Sequence, residues 1–522
     1  MTSRIQLIDV TLRDGNQSLW SATGIDTETV LAVAPLLDQV GFKALDFTTS
    51  THMAISVRYH QEDPFERIRL TSQLMPNTPL IFMTTGMRFI TWEPAPRAII
   101  RLAMQLVIKH GIRRIQIVEP MNNMPALLEA AKIAREEGAE QVVAGLVYSI
   151  SPVHTDEFYV GCAAALAGAT DLIDTVYIKD PSGLLTPERV ETIVPAMRQA
   201  LGTMPLEIHS HCNAGMAPLC YLRAAELGVE TVHTAIPPLA EGTSLPSITR
   251  TVANLRELGF DVDIDLEPIE RISQHLFELA RRKGYRIGQP LEYDVSYYRH
   301  QVPGGMVTTL RRHLAEVGAE DRFDEVLEEI VRVRAELGYP IMVTPFSQLV
   351  ATQALLNVQA GERYASAPDE VIKYVLGRFG DPPAPIDPEV RDRVLSMPRA
   401  RELDVPLEEP TLEDLRRQIG PRLSDEELLL RWALPGEQVD AALSGKRTRP
   451  AQPVAGPYHP LKKLIAEVSK RTDITYFYLQ KGDTRVILRR NNPAATGKGI
   501  VPDGHAEPAS PPERAAGEGV RV

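Results

Sequence analysis

Short apolar strand patterns alternate with helical patterns eight times in the first half of the chain. The strand patterns are rich in β-branched residues, and each helical pattern runs for roughly ten to twenty residues. This repetition predicts an α/β fold in which residues 1–260 form a (β/α)8 TIM barrel. An open doubly wound sheet is the alternative, but no GxGxxG follows the first strand. The strand patterns are Ile5–Asp9, Lys43–Phe47, Leu80–Met83, Arg114–Val118, Gln141–Val147, Ile173–Ile178, Leu206–His209 and Thr231–Ala235.

The rest of the chain is organised differently. Helical patterns dominate residues 261–443, which predicts an all-α domain after the barrel. Residues 444–458 are rich in glycine, proline and basic residues and are expected to form a linker. Residues 459–490 predict a small αββ module, because an amphipathic helix precedes two alternating runs joined by Lys-Gly-Asp. Residues 491–522, rich in proline, glycine and alanine, are expected to be disordered.

Composition restricts the location and the partners. The net charge of −12 argues against nucleic acid as a partner. No stretch approaches the roughly 18 uncharged apolar residues of a membrane-spanning helix, and the start of the chain does not resemble a signal peptide. The three cysteines form no CxxC pair, as is usual in a reducing compartment. We therefore expect a cytoplasmic protein that does not span a membrane.

Polar side chains stand where the predicted strands end, and in a barrel these ends share one face. His209 and His211 are separated by one residue on a strand, so both imidazoles lie on the same side. Asp14 follows the first strand, which neighbours the eighth when a barrel closes. These three side chains suggest a divalent metal site. A pair of structural histidines and a capping aspartate are the alternatives.

Lys179 ends the apolar stretch I173-D-T-V-Y-I-K179 and is followed by D180-P-S-G183. It could simply reach the surface from a strand end. A neutral lysine amine can instead add CO2 and become a carbamate, which is an anionic oxygen ligand. Burial beside a cation lowers the pKa of the amine in that direction. The residues permit this chemistry without proving it.

Six blocks carry a resemblance to a known family. In chain order they are TLRDGNQS (Thr11–Ser18), YIKDPSG (Tyr177–Gly183), HSH (His209–His211), TAIPPLAEGTSLP (Thr234–Pro246), VPGGM (Val302–Met306) and MVTPFSQ (Met342–Gln348). Together they resemble the carboxyltransferase component of biotin-dependent enzymes. That family includes pyruvate carboxylase, the oxaloacetate decarboxylase α subunit and the transcarboxylase 5S subunit. The resemblance runs from about residue 4 to residue 445.

The resemblance implies a role for each matching residue. Asp14, a carboxylated Lys179, His209 and His211 would hold a divalent metal, with zinc, manganese and cobalt all compatible. Gln17 would contact the keto acid, and Arg13 of the same motif would be catalytic. Thr344 would relay a proton between biotin and the substrate's methyl carbon, although it could also be a plain N-cap before Pro345.

The resemblance also implies a reaction. A carboxyl group would move between carboxybiotin and a 2-oxo acid of the pyruvate/oxaloacetate type, through a metal-stabilised enolate. The sequence contains no Met-Lys-Met triplet, so we expect no biotin attachment site on this chain. Carboxybiotin would come from a separate biotin carboxyl carrier, working with a biotin carboxylase subunit. Residues 459–490 resemble the N-terminal segment of a biotin carrier protein, and the family implies a homodimer.

Three departures from the family pattern concern the substrate pocket. Thr85 stands where the family has an arginine for the keto-acid carboxylate, and Arg88 is the expected substitute in the substrate site. Residues 48–53, T-T-S-T-H-M, differ from the family's WGGAT-like loop. Cys212-Asn213-Ala214 replaces the usual Asp-Thr-Ser after HxH. These departures leave open a different carboxyl acceptor.

Two further interpretations remain open from the sequence. The relatives of HMG-CoA lyase and isopropylmalate synthase also carry a TLRDGxQ-like start and an HxH motif. They lack the YIKDPSG, VPGGM and VTPFSQ blocks that this chain has. A non-catalytic scaffold protein within a carboxylase complex is the other interpretation, and the altered pocket favours it. The complete metal set argues against it.

Overall fold

Eight parallel strands form a closed barrel in the order of the sequence, as the alternation predicted. The computed structural model describes residues 3–295, 297–302, 310–311, 314, 320–406 and 408–444, with the backbone of 476–481 and 484–489. All eight predicted strands are confirmed, with ends that shift by one or two residues. The strands β1 to β8 are Gln6–Asp9, Ala44–Thr49, Leu80–Thr84, Ile112–Val118, Gln141–Val147, Thr175–Asp180, Leu206–Ser210 and Thr231–Thr234.

Helices follow the strands of the barrel, and several of them begin at a polar residue. The side chains of Asp26, Thr155 and Thr186 accept hydrogen bonds from backbone N–H groups in the first turn of their helices. The helices up to residue 283 are Asn16–Trp20, Thr27–Leu37, Ser50–Ile55, Pro64–Leu74, Arg97–Lys109, Met124–Glu136, Asp156–Ala167, Pro187–Leu201, Ala217–Glu226, Ile248–Glu257 and Leu266–Lys283. The π-helical turn Thr11–Gly15 directly precedes the helix Asn16–Trp20. A second π-helical turn, Ser56–His60, directly follows the helix Ser50–Ile55.

The strand register aligns the site residues at one level of the barrel. Val147 of β5 pairs with Lys179 of β6, and Lys179 pairs with His209 of β7. On the other side of the barrel, Asp9 of β1 pairs with Thr234 of β8. These residues all lie at the carboxyl ends of their strands, so the side chains that follow them meet at the barrel mouth.

Between residues 284 and 444, the regular elements that the structure describes are helices. Its helices are Tyr297–His300, Glu320–Arg322 (a 3₁₀ turn), Phe323–Glu336, Phe346–Ala360, Asp369–Val375, Pro388–Ser396, Pro398–Leu403, Leu412–Ile419, Asp425–Ala433 and Gly436–Leu443. Apolar side chains between Val302 and Leu403 form a core of their own. Leu415, Leu428 and Val439 instead belong to the core of the barrel. The division at residues 260 and 443 remains a prediction.

Residues 455–522 form a second unit. The hairpin expected there is present as two antiparallel strands, β9 (Tyr476–Lys481) and β10 (Thr484–Arg489). The expected helices over 459–470 and most of 309–317, most of the linker 444–458 and the tail 491–522 lie outside the described residues. Among the described helices, none is both long enough and apolar enough to cross a membrane.

The packing of the last helices predicts a measurable dependence of barrel stability on them. Leu429 is fully buried, and Leu429→Ala should lower the free energy of unfolding by about 2–5 kcal/mol, since it leaves a cavity. Val405→Ala is the control, because Val405 is 59% exposed and should change little. Urea denaturation followed by circular dichroism measures both. Equal stability of the two variants would contradict the assignment of this helix to the barrel core.

Candidate active site

Four side chains named from the sequence converge at the barrel mouth. Lys179 Nζ lies 3.3 Å from Asp14 Oδ2 and 3.0 Å from His209 Nε2. His209 Nε2 lies 3.2 Å from Asp14 Oδ2, and His211 Nε2 lies 3.6 Å from Asp14 Oδ1. The two Nε2 atoms are 3.3 Å apart. All four residues are buried, so the barrel assembles the expected set.

Asp14 is held on a helical turn that directly follows the first strand. The chain leaves β1 and enters the π-helical turn Thr11–Gly15, in which Asp14 and Arg13 are both buried. Arg13 Nη1 contacts Asp14 Oδ2 at 3.0 Å, and its Nε donates to Asp46 Oδ2 at 2.9 Å. Arg13 therefore pairs with two carboxylates and fixes the orientation of Asp14.

Lys179 is part of β6, and the residues that follow it bind neighbouring segments at the barrel mouth. Asp180 accepts hydrogen bonds from Leu184 N, Leu185 N and Ser210 Oγ, at 2.8, 2.9 and 2.7 Å. Gly183 has φ +65°, and a Cβ there would lie 2.5 Å from His211 O. The DPSG turn thus packs directly against the HxH segment, and Lys179 does not reach the surface.

Burial and charge act on the protonation of this group. Burial opposes the charge of Asp14, yet Arg13 and Lys179 hold the pKa of Asp14 well below its usual value. Burial lowers the pKa of Lys179, with Arg13 acting in the same direction and Asp14 opposing it. Burial also lowers the pKa of His209 well below its usual value. The imidazole is therefore neutral, as a metal ligand must be.

The donor set fits a divalent cation. Ligand atoms of Asp14, His209 and His211 lie within 4.8 Å of one another. His211 Nδ1 lies 2.8 Å from Thr243 O, so it donates to that carbonyl and leaves Nε2 as an acceptor. A carboxylate and acceptor nitrogens that converge in a buried space favour a cation beside them, and the Lys179 amine lies there, 3.3 Å from Asp14 Oδ2 and 3.0 Å from His209 Nε2. Two imidazoles with oxygen donors suit zinc, manganese and cobalt.

Gln17 and Thr85 lie in the segments that follow β1 and β3, at the carboxyl ends of the strands. Gln17 lies three residues after Asp14 in the adjoining helix and is exposed. Thr85 follows β3 directly and is partly buried. Their expected contacts with substrate remain predictions.

Arg88 is engaged by the protein itself. Its Nη1 lies 3.1 Å from Glu119 Oε1, and its remaining contacts are with the carbonyls of Thr85, Trp92 and Phe379. These bonds occupy four of the five N–H donors of a guanidinium. Arg88 and Glu119 are both buried. The contacts tie the end of β3 to the helical region, and the expected binding of a substrate carboxylate by Arg88 remains a prediction.

Thr344 lies on a segment that is fastened over the strand ends. Ile341 packs against Val118, Val147 and Tyr177 of the barrel. Ser182 Oγ donates to Met342 O at 3.4 Å. The helix that follows begins at Phe346 with Pro345 as its N-cap residue, so the interpretation of Thr344 as a plain N-cap is wrong.

Arg334 joins that segment to the end of β5. Its Nε donates to Pro340 O at 3.1 Å, and its Nη2 donates to Ser149 Oγ at 2.9 Å. Gln301 also binds the segment after β5, since its Nε2 donates to Ile150 O at 2.8 Å. Arg334 therefore fixes the distance between the Thr344 segment and the barrel mouth.

The segments that depart from the family pattern are ordered parts of the mouth. Thr48 and Thr49 end β2, and residues 50–55 form a helix whose first turn is capped by the Thr49 side chain. Cys212 N donates to Ser244 O at 2.7 Å. Sequence reasoning missed Asp46, Glu207 and Arg334. Their signal was a charged residue inside an apolar pattern, which marks a buried ion pair or hydrogen-bond network.

Two family models match the chain. Residues 4–276 match the model described as HMGL-like, and residues 297–466 match the model described as Conserved carboxylase domain. A pyruvate carboxylase subunit of Methanocaldococcus jannaschii is 39% identical over 393 residues, which cover 75% of this chain and 68% of that protein. The 2-oxoglutarate carboxylase large subunit of Hydrogenobacter thermophilus is 31% identical over 455 residues, covering 84% of this chain and 68% of that protein.

A solved structure shows the same architecture. The carboxyl transferase domain from Rhizobium etli pyruvate carboxylase with pyruvate superposes with a TM-score of 0.74 at 26% sequence identity. The match covers 85% of this chain and 77% of that one. The similarity therefore extends through both the barrel and the helical region.

The contacts of Arg88 predict a structural effect of its removal. Arg88→Met should lower the free energy of unfolding by about 3–5 kcal/mol, because the buried Glu119 loses its counter-charge. Arg101→Met is the control, since the exposed Arg101 pairs at the surface and should have little effect. Thermal unfolding measures both. A variant of unchanged stability whose only defect is a raised KM for the 2-oxo acid would show that Arg88 binds substrate instead.

Proposed function

The chain belongs to the carboxyltransferase family of the biotin-dependent carboxylases, and we propose that it moves a carboxyl group between carboxybiotin and a 2-oxo acid. The observation that carries this proposal is the buried group of Asp14, Lys179, His209 and His211 at the barrel mouth. It lies beneath the segment that bears Thr344. Relatives named as single subunits of pyruvate carboxylase support a separate biotin carrier and a separate biotin carboxylase as partners. A homodimer is part of the same proposal.

Asp14, His209 and His211 are the residues that would hold a divalent metal, with Lys179 as its carbamate supplying a further oxygen. The lysine amine already lies within hydrogen-bond distance of Asp14 and His209. Conversion to a carbamate replaces a cation among these acceptors with an anion, so a metal then balances the charge. When bound, the metal supplies Lewis-acid polarisation of the substrate carbonyl.

The chain's own residues orient the reactants and move the proton. Gln17 contacts the keto acid from the mouth, and Arg13 holds Asp14 in place. The Thr344 hydroxyl passes a proton between biotin and the methyl carbon of the substrate. The 341–343 segment covers the ends of the strands, which limits the access of water to the reacting carbon. Holding both reactants at one mouth supplies the effective concentration that the transfer needs.

The acceptor is a 2-oxo acid of the pyruvate/oxaloacetate type or a larger one. Relatives and neighbours named for pyruvate favour the first. Thr85 in place of the family's arginine, with Arg88 bound to Glu119, favours a different acceptor. One relative is named for 2-oxoglutarate. The assembled ligand group argues against a scaffold protein, because a scaffold has no use for converging buried acceptors.

An exchange assay tests the function directly. The purified chain with free biotin should decarboxylate oxaloacetate to pyruvate faster than without biotin, with metal content measured on the same sample. Turnover of 2-oxoglutarate in the reverse, carboxylating direction with its partner subunits would identify the larger acceptor. Full metal content without turnover of any 2-oxo acid would contradict the proposed reaction, and absence of both metal and turnover would favour the scaffold.

Lys179→Ala should lose the metal and the activity together while the barrel stays folded, because a ligand is removed and none replaces it. Lys373→Ala is the control, since Lys373 is a partly buried lysine that pairs with Glu93 and not with Asp14 or His209. Metal analysis and circular dichroism give the result. A carbamate signal in the ¹³C spectrum of protein equilibrated with labelled bicarbonate should disappear in the variant. Full metal content and activity in Lys179→Ala would refute the carbamate.

Thr344→Ala should reduce carboxyl transfer by about 10²- to 10⁴-fold and leave the metal content unchanged, because it removes a proton relay and no ligand. Thr344→Ser keeps the hydroxyl and should retain most of the activity. Steady-state rates with saturating biotin and 2-oxo acid distinguish them. Equal activity of the alanine and serine variants would show that the hydroxyl takes no part.

A further inference from the structure

A row of buried side chains leads from the metal ligands into the barrel. His209 Nδ1 lies 3.1 Å from His233 Nδ1, on the side of the ring opposite the metal group. His233 Nε2 lies 3.2 Å from Glu207 Oε2. His209, His233 and Glu207 are each no more than 1% exposed. The row consists of Glu207 and His209 from β7 and His233 from β8.

The carboxylate at the end of the row determines where the protons lie. The Glu207 carboxylate only accepts hydrogen bonds, so His233 must carry its proton on Nε2. The other nitrogen of a neutral imidazole is an acceptor, so His233 Nδ1 accepts from His209 Nδ1. His209 Nε2 then has no proton, and its lone pair faces the group formed by Lys179, Asp14 and His211. This is the tautomer that can ligate a metal.

The two metal histidines obtain the same tautomer by different means. His211 Nδ1 donates to a backbone carbonyl, that of Thr243, at 2.8 Å. No side-chain substitution removes that acceptor. His209 has a second histidine in the place of the carbonyl, and a histidine can accept or donate there. The state of His209 therefore depends on what lies beyond His233.

We propose that Glu207, acting through His233, is a positioning residue that sets the tautomer of His209 for metal binding. The proposal rests on the metal site of the proposed function and not on the carboxyl-transfer reaction. It assigns Glu207 and His233 no contact with substrate.

The second carboxylate oxygen of Glu207, Oε1, makes the proposal testable. Glu207 Oε1 accepts from Arg114 Nη2 at 2.6 Å and from Lys43 Nζ at 2.9 Å. In Glu207→Gln the amide oxygen stays with these two cations, which leaves the amide NH2 facing His233. His233 Nε2 must then accept and Nδ1 must donate. His209 Nδ1 becomes an acceptor, and its proton moves to Nε2, where it competes with the metal.

The experiment measures binding of Co²⁺ to the full-length, metal-depleted chain, by competition with a chromophoric chelator at fixed bicarbonate and pH. Glu207→Gln should bind Co²⁺ about 10- to 100-fold more weakly than the wild-type chain. Its visible Co²⁺ spectrum should shift, because the His209 ligand is altered. His233→Asn should bind within about threefold of wild type, because its amide oxygen can take the place of Nδ1 and accept from His209, as the Thr243 carbonyl does for His211. His233→Phe has no such atoms and should bind as weakly as Glu207→Gln.

Glu329→Gln is the matched control, because Glu329 is another buried glutamate that accepts from Asn357 and Arg363 in the helical region. It should bind Co²⁺ as the wild-type chain does. Circular dichroism checks that each variant is folded. If Glu207→Gln does not fold, the difference between His233→Asn and His233→Phe decides the question.

The outcomes separate the two proposals. Equal Co²⁺ affinity in folded Glu207→Gln, or in both His233 variants, overturns the positioning role and leaves the carboxyltransferase proposal intact. Weak binding in Glu207→Gln and His233→Phe supports it, even if the wild-type chain transfers no carboxyl group. A wild-type chain that binds no Co²⁺ overturns both the metal site and this inference.

Discussion

The convergence of unprotonated acceptors on one buried point is the constraint on which the rest of the site depends. Asp14 and the Nε2 atoms of His209 and His211 repel one another unless positive charge lies beside them, as the Lys179 amine does here. Nothing in the local sequence would hold such a group together. The closed barrel does so, because Lys179 and His209 lie in β6 and β7 while Asp14 and His211 lie in the segments that directly follow β1 and β7.

Buried carboxylates inside the barrel are also paired with arginines. Arg13 lies between Asp14 and Asp46, and Arg114 pairs with Glu207 below the histidines. Such buried pairs add little net stability, since replacing them by apolar residues often costs a fold little. Their value lies in fixing protons and orientations. The interior of this barrel is thus a supporting structure for the ligands at its mouth.

Two buried arginines bind the helical region to the barrel. Arg334 binds Pro340 O and Ser149 Oγ, which sets the Thr344 segment against β5. Arg88 binds Glu119 and Phe379 O, which ties β3 to the same region. The proton relay proposed for Thr344 depends on such contacts, because a displacement of about 1 Å is costly to catalysis.

The sequence by itself determined the barrel, all eight strands and the candidate metal ligands, because hydrophobic period and strand-end position are local properties. It could not place Asp14 on a helical turn, nor show that Arg88 is bound to Glu119, 31 residues away. It also could not show that Glu207 faces His233 of the neighbouring strand. Those facts depend on register and barrel closure, which bring residues distant in the chain to one level. The tertiary structure alone therefore decided which charges are paired and which side chain faces each nitrogen of His209.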